Sequence, residues 1–260
     1  MLRYLRIWYK MALASFQVFF SSRISTVLFL FGKTLRFLFY LGFLVYITKQ
    51  TNALSGYTLW NIVLFYLTFS LLDSVIQMLF KEVYRFRSRL IDGSFDLLLL
   101  KPVNCLFRSL FGETDLLDFI TLIPFLIGIV YVGSHIPGIT LATIVLYIVL
   151  LLNSLIIATS FHIAILAFGI LSSEVDNIIL LYRDVTTMGK LPIDIYKDPI
   201  RSFITFIIPV GIMMTFPAKA LQGLLSIPLL GLSFIVSGGF LWVSLIFWNR
   251  ALKRYTSAAG

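Results

Sequence analysis

The sequence predicts an all-α polytopic membrane protein, a single transmembrane domain with six membrane-spanning helices. Of the 260 residues, 59% are apolar and only 13% are charged, whereas a soluble domain carries about 25% charged residues. Long apolar runs recur, each near or above the roughly 20 residues that cross a bilayer as a helix. Thirteen of the 21 Lys and Arg residues lie in 1–23, 81–108 and 250–254, between or beside these runs. This distribution follows the positive-inside rule.

Charge placement and cysteine usage exclude several other classes of protein. The formal charge of +9 could suit nucleic acid, but its position beside apolar runs indicates a lipid bilayer instead. The single cysteine, Cys105, excludes a disulfide framework and a cysteine-based zinc site. His135 and His162 lie in different contexts, so we expect no metal site. Residues 1–23 lack the pattern of a cleavable signal peptide.

Residues 1–22 predict an amphipathic helix that lies in the membrane interface. Arg3, Arg6 and Lys10 share one helical face. The other face is apolar and consists of Leu2, Leu5, Tyr9, Ala12, Phe16 and Phe19. Such a helix either anchors the chain on anionic lipid or also contacts a cytosolic partner, and the sequence leaves both open.

Five apolar runs predict membrane-spanning helices. They cover residues 24–47, 57–80, 116–133, 139–171 and 228–249. The links 50–56 and 133–138 contain no Lys or Arg, which places them outside. The link 81–115 is long and basic, which places it in the cytoplasm together with both termini.

Charged residues inside the first two spans need a partner or water. Lys33 and Arg36 are three residues apart and therefore share a face of the first span. A cation at the bilayer centre costs about 3 kcal/mol on insertion scales. Asp73 in the second span lies about 10 Å from the cytoplasmic face, and Lys33 lies about 13 Å from it. These depths predict that Asp73 pairs with Lys33 or Arg36, and the alternative is a role in a substrate path.

The stretch "GSFDLLLLKP" within the link 81–115 predicts a short cytosolic helix. Gly93 and Ser94 open it with Ser94 as N-cap, and Lys101 with Pro102 ends it. Asp96 in the first turn favours the helix through its dipole. Four consecutive leucines at 97–100 cover all sides, so part of this surface must be buried against the spans or a partner.

Residues 172–227 allow two topologies, and each gives six spans. In the first, 174–190 is the fifth span and the chain then dips back into the membrane from outside. In the second, 174–199 is cytosolic and 200–218 is the fifth span.

Charges and prolines in this stretch favour different topologies. The charges would be cytosolic in the second topology, and they belong to Arg183, Lys190, Lys197 and Arg201. Pro209 and Pro217 oppose that topology because they divide the apolar run, and broken helices at membrane depth need protein or water around them. The residues alone leave the choice open.

Nucleotide-binding and hydrolytic motifs do not occur in the sequence. No Gly-rich run followed by Lys and Ser or Thr could cradle phosphate. No Gly-x-Ser-x-Gly occurs and no paired acids stand out, which argues against an intramembrane enzyme. An ATP-independent channel or secondary carrier stays open, and activity without any ATPase would identify it.

Two stretches carry a resemblance to a known family. The first is the turn Gly93, Ser94, Phe95 and Asp96, followed by leucines that include Leu98, then Lys101 and Pro102, with Gly112 and Glu113 where the family has Gly-Lys. The second is "LPIDIYKDPIRSFITFIIPVGIMMTFPAKALQG". Within the predicted layout, these stretches resemble the permease subunits of type-2 ABC exporters, in the branch of short, paired permeases beside a separate ATPase.

The resemblance implies a function and a topology. Residues 93–102 would be the coupling helix, seated in a groove of an ATPase subunit present in two copies. Residues 174–190 would be the fifth span and 191–222 an extracellular re-entrant element. The chain, with an identical or paralogous second permease, would export a lipophilic or amphipathic substrate across the plasma (inner) membrane. ATP and Mg would be bound by the partner subunit, and this chain would bind no cofactor.

Overall fold

The computed structural model describes residues 2–20, 23–51, 55–172 and 174–256, so residues 52–54 of the predicted outer link lie outside the described part. Every regular element in these ranges is helical, which confirms the all-α class. The α-helices are α1 (Leu2–Phe20), α2 (Arg23–Thr51), α3 (Leu59–Phe80), α4 (Phe86–Ile91), α5 (Ser94–Leu99), α6 (Cys105–Phe111), α7 (Leu116–Gly133), α8 (Leu141–Ser172), α9 (Val175–Thr187), α10 (Ile200–Ser202), α11 (Phe216–Leu221) and α12 (Ile227–Lys253).

Four helices, α2, α3, α8 and α12, are long and apolar enough to cross a membrane. A bent helical pair over 200–221 would add a fifth if its two parts form one span. α7 is apolar but shorter, and α9 has only 13 residues. A helical membrane architecture is therefore confirmed, while the count of six spans stays a prediction.

α3 forms the centre of the bundle. Fourteen of its 22 residues are buried, because α2, α7 and α8 pack around it. A helix that is apolar on every side is typical of this central position. α2, by contrast, is mostly exposed along its length, so the rest of the protein packs against only one of its sides.

α8 and α12 run parallel to one another. Ser237 donates a hydrogen bond to the Asn153 side chain (2.5 Å), and further along both helices the rings of Phe168 and Phe247 meet at 4.6 Å. The chain between them must therefore return from the end of α8 to the level where α12 begins. We call the end that carries 81–115 and the C-terminal turn of α12 the basic end.

α9 begins this return by running antiparallel to α8. Its first residue, Val175, lies against Gly169, where a Cβ atom would come within 2.5 Å of the valine methyl group. Two turns later Tyr182 contacts the rings of Phe161 (5.3 Å) and His162 (5.0 Å). Glycine at 169 therefore permits the close approach that starts α9 along α8.

The segment that follows contains the predicted break at a proline. Helical turns over 200–207 and 211–221 meet at an angle of 83°, and Pro209 lies at the junction. Pro217 does not break the second part, and it lies where the π-helical turn over 211–215 passes into α11.

Asp194 fastens this segment to the start of α3. Its carboxylate accepts hydrogen bonds from the Tyr57 hydroxyl (2.7 Å) and from Lys219 Nζ (2.8 Å). Burial opposes ionisation, but these two donors hold the pKa of Asp194 below its usual value. The bent segment is thus held at the end of the bundle opposite the basic end.

α1 lies along the basic end. Arg3 donates to the Pro102 carbonyl (2.8 Å), and the rings of Tyr4 and Phe107 meet at 4.9 Å. Leu5 and Tyr9 of the predicted apolar face are exposed, whereas Ala12 is buried. The helix therefore contacts the 81–115 region of its own chain and leaves an apolar strip free, as an interfacial helix requires.

Candidate functional site

A tight turn opens the predicted coupling helix, α5. Gly93 has a φ of 71°, in the left-handed region that favours glycine. The Asp92 carboxylate accepts the Ser94 backbone N–H at 2.9 Å. Hydrogen bonds from Ser94 lower the pKa of Asp92. Ser94 is thus the first helical residue and Gly93 is the N-cap, which corrects the predicted position by one residue.

Phe95 points into the chain's own core. It is fully buried, and its ring meets those of Phe86 (5.1 Å) and Tyr255 (5.0 Å) edge to face. Leu98 is also buried. In this conformation both residues fix the position of α5 rather than offer a surface, and their predicted role in coupling stays a prediction.

The opposite side of α4 and α5 is apolar and exposed. Ile91 is 67% exposed, Leu97 60% and Leu100 82%. We call these three side chains the docking face. Lys101 and Pro102 extend the exposed surface beyond them. Large apolar side chains exposed close together in the chain at a polar end of a molecule suit an interaction site.

Ion pairs hold the 81–115 region together. Buried Glu82 contacts Arg89, and Glu113 contacts Arg85 (2.6 Å) and Lys81 (3.4 Å). Glu113 stands where the resembled family has lysine, and here it neutralises two cations at the end of α3. The departure from the motif therefore has a structural account.

Lys33 makes an ion pair inside the bundle, but not the predicted one. Its Nζ contacts the Asp118 carboxylate and lies 3.3 Å from the Ser74 hydroxyl. Asp73 instead accepts a hydrogen bond from Gln77 at 2.6 Å. Among the described residues neither Lys33 nor Arg36 forms an ion pair with Asp73. The position of a residue along its helix predicts only how deep its charge lies in the membrane, not which neighbour it meets. α7 packs on α3 and brings Asp118 to the same depth as Lys33.

The three predicted intramembrane charges nevertheless line one space. A cavity of about 110 Å³, which we call the charged cavity, is lined by Lys33, Arg36 and Asp73 together with Arg183 and Lys190. Four cations and one carboxylate face it. Sequence reasoning missed the last two cations because they lie in the stretch whose topology was open. The sequence signal that could have found them is that Arg183 and Lys190 lie on either side of polar Thr186 and Thr187.

The cations of the charged cavity differ in how they are satisfied. Lys33 has Asp118, and Lys190 Nζ lies 5.1 Å from the centre of the Tyr40 ring, within the range of a cation–π interaction. None of the ion pairs between described residues includes Arg36 or Arg183. Two guanidinium groups therefore face the cavity without a carboxylate in contact.

An apolar groove adjoins the charged cavity. It has a volume of about 530 Å³ and lies between α2, α3 and α7. Lys33, Phe37 and Phe125 line both spaces. From there the groove extends to Trp60 and Tyr131 near the opposite end of the bundle. The groove has the volume and apolar lining of a ligand pocket.

No three His, Cys, Asp or Glu side chains of the described ranges cluster closely enough to hold a metal ion. A protein-family model matches most of the chain. The model described as "ABC-2 family transporter protein" covers residues 33–259, which include the docking face, the charged cavity and the apolar groove but not α1. No curated protein and no solved structure matches the chain significantly.

Proposed function

The chain belongs to the ABC-2 family of transporter proteins, and from this premise we propose that it is half of the translocation pathway of an ATP-driven exporter. Family membership makes it a multi-pass membrane permease that works with an ABC ATPase. The finer proposal is a complex of this chain, a second permease and two ATPase subunits at the plasma membrane. Its substrate is lipophilic or amphipathic.

The exposed docking face carries this proposal. An ATPase groove would bury Ile91, Leu97 and Leu100, which the isolated chain leaves in water. ATP and Mg would be bound by that partner. The predicted coupling residues Gly93, Ser94, Asp96, Lys101 and Pro102 then surround the contact, while Phe95 and Leu98 transmit its movement to the permease core.

α9 offers a route from the docking face to the charged cavity. Arg87, at the start of α4, forms an ion pair with Asp176 in the first turn of α9 (2.7 Å). Arg183 lies seven residues further along the same helix, about 10 Å away. A movement of α4 and α5 on ATP binding would shift α9 and with it a wall of the cavity. ATP can bias this equilibrium only by binding the two states differently.

Copurification tests the proposed function. A tagged chain purified from its native membrane in mild detergent should retain an ABC ATPase, identified by mass spectrometry in a ratio of one ATPase per permease. Purified complex in liposomes should transport only with ATP. Robust transport by the chain alone, without ATP, would overturn the proposal and favour the channel or secondary carrier.

The proposed topology makes 174–190 the fifth span and 191–222 an extracellular re-entrant element. The antiparallel course of α9 along α8 supports it. Lys197 is exposed, so a Lys197→Cys variant in a Cys105→Ser background should react with an impermeant maleimide added to intact cells. The matched variant Ser88→Cys at the basic end should react only after permeabilisation. Labelling of both variants only after permeabilisation would favour the cytosolic alternative for 174–199.

A further inference from the structure

Two arginines face the charged cavity, and one of them lies deep within the predicted first span. Arg36 lies ten residues after Thr26, where the candidate span of α2 begins, and thus about 15 Å into the membrane. This is about half the thickness of a hydrocarbon core. Arg183 faces the same cavity from α9. Neither guanidinium group has a carboxylate of the described residues within ion-pair distance, although Asp73 lines the same cavity.

The charge balance of the site favours an anion. Four cations line the cavity, and two carboxylates, Asp73 on its wall and Asp118 on Lys33, oppose them. The formal balance is therefore two positive charges. Guanidinium groups bind carboxylate and phosphate through paired, charge-assisted hydrogen bonds. A cationic ligand would be repelled.

The size of the two spaces defines the shape of the ligand. The charged cavity holds about 110 Å³, several times the 10–15 Å³ that one water needs but little for a bulky headgroup. The groove is larger and almost wholly apolar, and it meets the cavity at Lys33, Phe37 and Phe125. A small polar space opening into a long apolar one fits a molecule with one small headgroup and one tail.

We propose that the charged cavity and the apolar groove together bind one anionic amphiphile. Its headgroup lies between Arg36 and Arg183, and its hydrocarbon chain lies along the groove between α2, α3 and α7. Lys33, at the junction, contacts the headgroup end. This inference rests on the proposed function, since it takes the bound amphiphile to be the transported substrate.

A binding assay on the full chain in phosphatidylcholine nanodiscs tests the inference. The probe is dansyl-labelled undecanoic acid at a pH where it is ionised, and its methyl ester is the uncharged counterpart. The acid should bind at least about tenfold more tightly than the ester, the effect of one hydrogen bond to a charged group. Equal affinities would overturn the proposal.

Variants separate the headgroup site from the tail site. Arg36→Gln with Arg183→Gln should weaken acid binding by about 10- to 100-fold and leave ester binding unchanged, which also reports an intact fold. Arg6→Gln on α1 should have no effect on either. Leu38→Trp, which fills the groove, should weaken both probes, whereas Ile127→Trp on the outer surface of α7 should weaken neither.

Further outcomes would contradict the inference. Unchanged acid binding in the double arginine variant would remove the headgroup site. Displacement of the acid by inorganic phosphate at equal concentration would show an anion site without a tail site. Retention of the ATPase is measured on the same preparations. A wild-type chain that retains the ATPase but binds the acid no more tightly than the ester contradicts the substrate class alone. A wild-type chain that binds the acid but retains no ATPase sinks the proposed function alone.

Discussion

Leu97→Asp combined with Leu100→Asp should abolish retention of the ATPase. Both side chains are mostly exposed on the docking face, so the change removes little packing within the chain. At the interface each aspartate would bury a charge without a partner. Truncating an interface anchor alone costs about 2 kcal/mol or more, which is about 30-fold in affinity. The measurement is the amount of ATPase that copurifies with tagged permease, together with coupled ATP hydrolysis.

The matched control is Leu224→Asp, which places the same charge on an exposed leucine in the link before α12. It should leave the complex intact. Size exclusion should give the same folded peak for all variants. If the double variant keeps its ATPase and couples normally, the docking face is not the ATPase contact, and α5 is not the coupling helix.

Breaking the Lys33–Asp118 pair should destabilise the permease strongly. Both side chains are largely buried, and removing one partner of a buried pair costs about 3–5 kcal/mol because the other charge is stranded. Lys33→Met and Asp118→Asn should each lower the free energy of unfolding by about that amount. The double variant should recover much of the loss. Unfolding in mixed detergent micelles gives the free energies for the cycle.

A second cycle with Asp73 tests the specificity of this pair. Lys33→Met and Asp73→Asn should couple more weakly, since Asp73 has Gln77 as its hydrogen-bond partner. Contacting pairs show coupling energies of about 0.5–3 kcal/mol. Strict additivity for Lys33 with Asp118, or stronger coupling with Asp73, would restore the pairing that helix depth alone predicted.

Features that depend on neighbouring residues were predictable from the sequence. The predicted coupling helix, α5, begins and ends where Gly93 and Lys101–Pro102 place it, and the bent segment breaks at Pro209. Glycine supplies the positive φ and proline lacks the N–H, whatever surrounds them. The apolar runs likewise located the helices now observed, because burial in lipid or protein demands length and composition only.

Features that depend on which helices are neighbours were not predictable. The position of Lys33 along its helix predicted its depth in the membrane but not the direction of its side chain, so its partner Asp118 was missed. Four consecutive leucines make every side of the helix apolar, so the pattern does not identify the side that is buried. The inward direction of Phe95 and Leu98 therefore could not be deduced. The contribution of Arg183 to the charged cavity depends on the course of α9, which charge and proline placement left open.

The contact between Phe95 and Tyr255 has a consequence for biosynthesis. The ribosome completes Phe95 160 residues before Tyr255, an interval of about 8–32 s at 5–20 residues per second. During this time α5 lacks one of the two rings that hold it in place. The proposed docking face therefore gains its full support only after the last helix is made. On the proposed function, stable association with the ATPase would therefore follow the synthesis of α12, the helix that leads into Tyr255.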